Sequence, residues 1–206
     1  MVTRRGIEAN LDPIKAIAEI KSPKNLKEVQ RLTGRVAALN RFISRSSDKC
    51  HLFYNVLRKN KGFDWTENHE CALQALKEYM MSPPLLSKPH DHEILQLYLA
   101  VSPNAVSAVL VREDDKHQHP ICYVSKSLLD AETSYTSMEK LLLALVTAVK
   151  KLRHYFESHP ISVMTNYPLK SVLRKPERSG RLAKWSSTSV VMISAINQEQ
   201  QSNHRF

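Results

Sequence analysis

The first candidate for chemistry in this sequence is a stretch in which two strands meet at a short turn, EILQLYLAVSPNAVSAVLV at residues 93–111. A strand that ends in a turn of small residues is a common place for a catalytic carboxylate. Yet no Asp or Glu lies between Glu93 and Glu113, and the adjacent pair Asp114 and Asp115 falls in a polar segment, REDDKHQ, that is typical of a hairpin turn. The stretch therefore indicates either an ordinary sheet or a site that has lost its acid.

Metal-binding and nucleophilic residue types are scattered rather than clustered. The two close histidine pairs are His90 with His92 and His117 with His119. Each pair lies in a polar stretch with no cysteine nearby, so we expect loop histidines and no metal site. The three cysteines, Cys50, Cys71 and Cys122, are far apart and form no C-x-x-C pair, which predicts buried or idle thiols rather than disulfides.

Composition indicates a soluble globular protein of one or two domains, since 42% of the 206 residues are hydrophobic and 24% are charged. The apolar run LLLALVTAV at 141–149 is too short to span a bilayer, and the N-terminal residues lack the apolar core of a signal peptide. We therefore expect an intracellular protein, cytoplasmic or nuclear, with no membrane partner.

Positive charge is concentrated at the N-terminal end. Residues 1–61 carry fourteen Lys and Arg against five Asp and Glu, a net charge of +9, while residues 62–206 carry sixteen against fifteen. A positive field confined to one module is expected of a surface that meets phosphates, although a solvated helix face would give the same count.

Residues 1–89 read as a module that is helical throughout. Asp12 is a plausible N-cap, with Pro13 at the first helical position. After Asn25, apolar residues recur every three or four positions and predict an amphipathic helix whose other face is basic. Gly34 in the middle of that helix suggests a close approach by another backbone, from packing or from a ligand.

From about residue 93 the pattern changes to strands, which we predict at 94–101, 105–112 and 119–125. A helix over 134–158, a buried strand over 160–165 and a small helix over 166–175 follow. The predicted fold is therefore α+β, a helical module followed by a mixed sheet in the order βββαβα. We expect the domain bounds 1–89 and 90–186, with residues 187–206 as a divergent, disordered tail.

Several segments in the same register resemble one family. The segments are NLKEVQRLTGRVAALNRFI, FDWTENHECALQALKEYMMSPPLLSKP, EILQLYLAVSPNAVSAVLV, HPICYVSKSL, SYTSMEKLLLALVTAVKKLRHYF and ISVMTNYPLKSVL. They resemble, in order, the thumb and the ribonuclease H-like (connection) domain of gypsy-type LTR retrotransposon reverse transcriptase polyproteins. The resemblance spans roughly residues 4–185 and implies that fingers and palm would precede this piece.

The resemblance also implies which acids are missing. The family's first-strand Asp falls at Ala100, its helix Glu at Leu141, and its fourth-strand Asp at Asn166. Ribonuclease H cleavage uses two divalent metal ions held by carboxylates, so we expect no bound cofactor here, and Mg²⁺ only if that site were intact. Glu139 is a possible remnant, but it lies two residues from Leu141, about 200° around a helix.

The functional expectation is a catalytically inactive fragment that binds or positions an RNA–DNA hybrid, or another nucleic acid duplex, through its basic thumb. Other parts of the polyprotein are the implied protein partners. The alternatives are an active RNA-directed DNA polymerase and ribonuclease H polyprotein of which this chain is part, and a relic that folds poorly. The candidate nucleic-acid-binding residues are Lys27, Arg31, Arg35, Arg41 and Arg45.

Overall fold

A computed structural model gives the architecture of the chain for residues 2–3, 6–58, 63–115, 117–165, 167, 169 and 196–199. A helical module comes first, and a mixed sheet with a long helix on one face follows it. Within these ranges no helix is both long enough and apolar enough to cross a membrane.

The first two helices of this module begin where side chains satisfy their free N–H groups. The Asn25 side chain accepts a hydrogen bond from Glu28 N at 3.0 Å, so the predicted cap of the second helix is present. The first helix is instead capped by Asn10, whose side chain accepts from Asp12 N at 3.2 Å; Asp12 already lies inside it. The helical segments are α1 Leu11–Ala18, α2 Leu26–Ala38, a 3₁₀ turn Asn40–Phe42, α3 Ser46–Lys49, α4 His51–Arg58 and α5 Glu67–Met81.

The helices share one core, which the apolar stripe of α2 enters at every turn. Burying an aliphatic side chain fully contributes roughly 1.5–3 kcal/mol, so this core is the main source of the module's stability. Fully or almost fully buried members are Ile17, Val29, Leu32, Val36, Ile43, Phe53, Leu73, Leu76, Met80 and Leu86.

The expectation that residues 1–89 are helical throughout is wrong at both ends of the module. Val2–Thr3 (β1) and Gly6–Ile7 (β2) pair as an antiparallel ribbon. Ile7 also bridges Leu86, with Ile7 N donating to Leu86 O at 2.6 Å and Leu86 N to Ile7 O at 3.1 Å. These pairings join segments far apart in sequence, which helical periodicity does not report.

The second part is a mixed sheet, as predicted. β3, β4 and β5 form an antiparallel meander, β6 runs parallel to β3, and β7 runs parallel to β6, so the order is β5-β4-β3-β6-β7. The strands are β3 Leu95–Val101, β4 Ala105–Asp114, β5 His117–Ser127, β6 Ile161–Met164 and β7 Ile196–Glu199. β7 lies within 187–206, so four residues of that segment are a strand rather than the disordered chain we expected.

The β4–β5 hairpin is longer than predicted. Arg112 pairs with His119 and Asp114 with His117, so both histidines lie in a strand and not in a loop. The turn tightens to the residues around Asp115, whose φ of 46° is left-handed. Close to this turn, Arg112 stabilises the hairpin through its ion pair with Glu93 at 3.2 Å.

The helix predicted over 134–158 is broken into shorter ones. Thr136 caps its main part with an extended backbone, and Leu152, at φ −108° and ψ 21°, ends it. The predicted range contains α7 Ser137–Lys151 and α8 Arg153–Ser158, and a short helix that we did not predict, α6 Asp130–Thr133, precedes them. Of the small helix predicted over 166–175, only Tyr167 and Leu169 fall within the described residues.

The sheet has two different faces because strand side chains alternate. Leu95, Leu97, Leu110 and Val124 point to one face, which we call the helix face, and pack there against α7. Tyr98, Ala100, Ser107, Val109 and Tyr123 share the opposite face, which we call the thumb-side face.

The helical module packs on the thumb-side face through polar as well as apolar contacts. Ser47 N donates to the buried Ser125 Oγ at 3.1 Å, and Ser102 Oγ donates to Asp48 Oδ1 at 2.6 Å. Tyr123 contacts the helical core. The boundary we predicted at residues 89 and 90 is therefore crossed by many interactions.

Among the described residues, none lies close to Gly34, so of the two explanations that we considered, packing and a ligand, packing within this part of the chain does not apply. A Cβ placed there meets nothing within 4 Å. We therefore expect Gly34→Ala to raise the free energy of unfolding by about 0.5–1 kcal/mol, since Ala restricts the unfolded chain and favours the helix. Urea denaturation of the two proteins measures the difference.

Gly6→Ala is the matched control, with the opposite sign. Gly6 has φ +140°, and an added Cβ would collide with the carbonyl oxygen of Leu86. The variant should unfold at lower urea concentration by an amount that exceeds the gain at Gly34. A lower free energy of unfolding in Gly34→Ala would contradict this prediction and would mean that another segment packs against α2.

Candidate nucleic-acid interface

The exposed face of α2 carries two cations that no described residue pairs with. Lys27 and Arg31 are exposed, and neither makes a hydrogen bond or an ion pair within the described part of the chain. They lie four positions apart and therefore on the same side of the helix. Gly34 is exposed on the next turn, so this part of α2 is an exposed, positively charged surface.

The other three predicted cations have contacts inside the protein. Arg35 is half-buried, and its Nη1 donates to Ala16 O at 2.6 Å, which fastens α2 to α1. Arg41 is exposed, with its guanidinium 5.5 Å from the centre of the Phe42 ring. Arg45 pairs with Asp48 at 3.0 Å. Ala16 lies in α1, Phe42 in the 3₁₀ turn and Asp48 in α3, so the periodicity of α2 did not reveal these partners.

A basic cleft of about 300 Å³ continues from Arg31 into the turn before α2. Lys21 and Lys24 add two cations that were not among our candidates. Glu28 is the single acid among the described residues that line it, and its carboxylate accepts hydrogen bonds from Lys24 N at 2.8 Å and from Asn25 Nδ2 at 3.2 Å. The lysines that precede the helix in the sequence are the signal that could have indicated this cleft.

The structure does not bring together Ala100 and Leu141, two of the three positions predicted to match the family's ribonuclease H acids. Ala100 is exposed on the thumb-side face, whereas Leu141 is 4% exposed and packs in the core between α7 and the helix face. The two side chains therefore lie on opposite faces of the sheet. Asn166 lies outside the described residues.

Glu139 has a structural role at the start of α7. Its carboxylate accepts hydrogen bonds from Thr136 N and Thr136 Oγ1, both at 3.0 Å, and Glu139 N donates back to Thr136 Oγ1 at 3.3 Å. This reciprocal arrangement is a capping box. The carboxylate that we considered as a remnant of the site is thus explained by helix capping.

The residues present do not fit a magnesium site. Mg²⁺ needs several oxygen ligands in near-octahedral geometry, and the side chains of Ala100 and Leu141 offer none. Among the described residues there is no group of three or more His, Cys, Asp or Glu side chains that could hold a metal ion.

The thiols are not arranged as nucleophiles either. Burial raises the pKa of Cys50 to about 12 and also raises the pKa of Cys122, so both stay protonated at neutral pH. Cys71 is exposed and forms no disulfide within the described part of the chain.

A second cleft, of about 420 Å³, opens on the thumb-side face. Tyr98, Ala100 and Tyr123 line it from the sheet, and Ser44 and Arg45 line it from the helical module. No sequence pattern indicates this cleft directly, because its two sides come from segments more than fifty residues apart.

The strand order, the helix on one face and the helical module on the other define a ribonuclease H-like fold. Solved structures place that fold in reverse transcriptases. A foamy viral protease-reverse transcriptase in complex with double-stranded DNA superposes with a TM-score of 0.80 at 20% identity, covering 100% of this chain and 37% of that one. A structure of the foamy viral protease-reverse transcriptase in complex with an RNA/DNA hybrid superposes with a TM-score of 0.80 at 21% identity. The match covers 99% of this chain and 28% of that one. At these identities the likeness concerns the fold alone.

Sequence comparison is more specific. Residues 65–163 match the family described as "RNase H-like domain found in reverse transcriptase". The Transposon Tf2-3 polyprotein of Schizosaccharomyces pombe is 30% identical over 190 residues, which cover 89% of this chain, and Tf2-4 gives the same values. The chain spans 14% of the length of these curated relatives.

Residues 65–163 therefore belong to the RNase H-like domains of reverse transcriptase, and the chain is a homologue of the Tf2 retrotransposon polyproteins. Tf2 elements are of the Ty3/gypsy type, so the predicted family is confirmed. The predicted α+β fold with a mixed sheet is confirmed as well. The domain bounds and the site residues remain predictions.

If Glu139 serves only as a helix cap, its variants should change stability in a characteristic order. Glu139→Ala removes half of the capping box and should cost about 1 kcal/mol, as should Thr136→Ala. Glu139→Gln should retain most of the stability, because Gln also serves in capping boxes. Chemical denaturation of the three variants gives the comparison.

A catalytic role for Glu139 predicts a different effect of the same substitutions. A carboxylate that binds metal would be lost in Glu139→Gln and Glu139→Ala alike. Cleavage of a labelled RNA–DNA hybrid by the unaltered chain, abolished in both variants, would contradict the capping assignment.

Proposed function

We propose that this chain binds nucleic acid duplex, with the RNA–DNA hybrid of reverse transcription as its substrate class, through the exposed basic face of α2, and that it does not cleave the bound strand. The observation that carries the proposal is the pair Lys27 and Arg31, exposed and without a described partner. Arg41 is a further exposed cation beyond the end of α2.

The shape of α2 supports contact with a backbone. No side chain projects at Gly34, and nothing lies within 4 Å of its would-be Cβ, so packing inside the described protein does not account for the glycine. A phosphate backbone could approach the helix closely there, while Lys27 and Arg31 neutralise its charge. Such contacts position a duplex without reading its sequence.

The relatives agree with this assignment. The foamy viral protease-reverse transcriptase, whose fold the chain shares, has been solved with double-stranded DNA and with an RNA/DNA hybrid. The Tf2 relatives are polyproteins of which this chain matches 14%. Within such a polyprotein the chain would act as thumb and connection domain, with polymerase residues supplied by other segments.

Absence of cleavage follows in the proposal from the side chains at the family's metal positions. Ala100 and Leu141 provide no oxygen ligand and lie on opposite faces of the sheet. Asn166, the third position, would add at most one neutral oxygen. The chain would thus have kept the fold and the duplex-binding surface without the cleavage chemistry.

Removing both α2 cations should weaken duplex binding in a salt-dependent way. In Lys27→Gln/Arg31→Gln, the slope of log K against log[salt] for an RNA–DNA hybrid should become shallower by about two, one counterion for each lost phosphate contact. Fluorescence anisotropy of a labelled hybrid between about 50 and 200 mM salt measures the slope.

The double variant Lys88→Gln/Lys150→Gln is the control, because it removes the same charge from exposed positions outside α2. Its slope should match that of the unaltered chain. Equal slopes in both double variants would show that α2 is not the interface. A chain with neither cooperative unfolding nor a salt-sensitive hybrid complex would instead be a poorly folded relic.

A further inference from the structure

The cleft on the thumb-side face has aromatic walls at a regular spacing. Tyr98 pairs with Val109 and Val109 with Tyr123, so the three side chains form one row across β3, β4 and β5. Neighbouring strands are about 4.8 Å apart, which puts the two tyrosines roughly 10 Å apart with a valine between them. A planar ring above the valine would lie about 5 Å from each tyrosine, within the range of aromatic contacts.

The floor of the cleft is formed by small side chains. Ala100 pairs with Ser107 in the next row of the same face, beside the larger row of Tyr98, Val109 and Tyr123. The Tyr98 ring is held in place because its hydroxyl donates to Gln96 Oε1 at 2.9 Å and accepts from Gln118 Nε2. One wall of the cleft is therefore fixed before any ligand arrives.

The other wall is the Ser44–Arg45 turn, which is also fixed. Ser44 N donates to the hydroxyl of Tyr79 at 3.1 Å, and Lys49 Nζ donates to Ser44 O at 3.0 Å. Arg45 has a left-handed backbone, φ 50°, which is unfavourable for a residue with a Cβ. The contacts around it hold this conformation and place the guanidinium at the rim of the cleft.

Arg45 keeps part of its guanidinium available. Asp48 accepts from Nε alone, at 3.0 Å, and the Arg45 side chain is 59% exposed while that of Asp48 is 23% exposed. The other oxygen of Asp48 accepts from Ser102, so this carboxylate is positioned by both modules. Lys49 lies close by: burial, and to a smaller degree the positive charge of Arg45, lower the pKa of its ammonium group.

Arg45 is the single charged side chain among the described residues that line the cleft. An occupant with an anionic group at the rim and a flat apolar body inside would complement it. A volume of about 420 Å³ is at the lower end of the range for small-molecule sites. This volume is too small for a helix or a duplex, so the occupant of the cleft must be one compact chemical group.

We propose that this cleft binds a single unpaired nucleotide, with its base between Tyr98 and Tyr123 and its phosphate on Arg45. Base stacking on aromatic side chains beside a cation is the general mode of binding to single strands. The site lies apart from the basic face of α2, so it adds to the proposed duplex binding and does not depend on it. Arg45 is in this assignment a nucleotide contact and not a duplex contact.

Titration of the full chain with adenosine monophosphate, adenosine and inorganic phosphate tests the proposal, with backbone NMR shifts locating the site. The monophosphate should shift residues around Tyr98, Ala100 and Tyr123 and should bind at least fivefold more tightly than either fragment. Arg45→Gln should reduce its affinity to that of adenosine, and Arg45→Lys should retain part of the difference.

Ala100 offers a matched pair of variants in the floor of the cleft. Ala100→Asp introduces a negative charge and should weaken binding of the monophosphate about tenfold, whereas the similarly sized, neutral Ala100→Asn should change it by less than threefold. Ala100 is exposed, so both variants should fold, and their thermal unfolding checks this.

Three results would overturn the proposal. These are equal affinity for adenosine and its monophosphate, shifts confined to the Lys21 and Lys24 cleft, and tighter binding of an acidic aromatic dipeptide such as acetyl-Asp-Phe. The double variant Lys27→Gln/Arg31→Gln distinguishes duplex binding by α2 from nucleotide binding in the cleft. It should impair the duplex complex and leave the binding of adenosine monophosphate unchanged.

Discussion

Side-chain alternation in a sheet that is covered on both faces is the constraint on which the other features of this structure depend. Leu97 and Leu110 point towards α7, whereas Val109 and Tyr123 point towards the helical module. Because both faces carry buried side chains, a shift of one residue in the register would disturb two cores at once. The strands are therefore strongly specified, and the helical module is held to them as a partner in folding.

The same constraint separates Ala100 and Leu141, two of the positions that we predicted to match the family's ribonuclease H acids. Ala100 points to the thumb-side face, so this position contributes to a cleft closed by Ser44 and Arg45. Leu141 points into the core on the other side, where it adds to the packing of α7. The two positions have become parts of different structures, one a surface and one a core, and a change at either has consequences that do not reach the other directly.

Sequence patterns predicted the elements whose causes are local. The stripe of α2 and its cap at Asn25 were correct because periodicity and capping act within a few residues. The bridge between Ile7 and Leu86 could not be predicted in this way, since its partners are far apart along the chain. The break at Leu152 was missed for a different reason: the apolar spacing continues through it, and only the backbone geometry ends the helix. Residue spacing also predicted the order βββαβα, and the family resemblance then identified that order as ribonuclease H-like.

The positive charge of the helical module is spread over many cations, but only some of them are available for binding. A net charge of +9 over residues 1–61 indicates a positive field, but a cation contributes to binding only where it is not already used inside the protein. Arg35 is used by Ala16 O, and Arg45 is partly used by Asp48, whereas Lys27 and Arg31 keep their full hydrogen-bonding capacity towards solvent. Long-range electrostatics would draw a polyanion to the whole module, while close contacts would form at the few cations that need not give up a partner. The attraction can thus be broad although the contact surface on α2 is narrow.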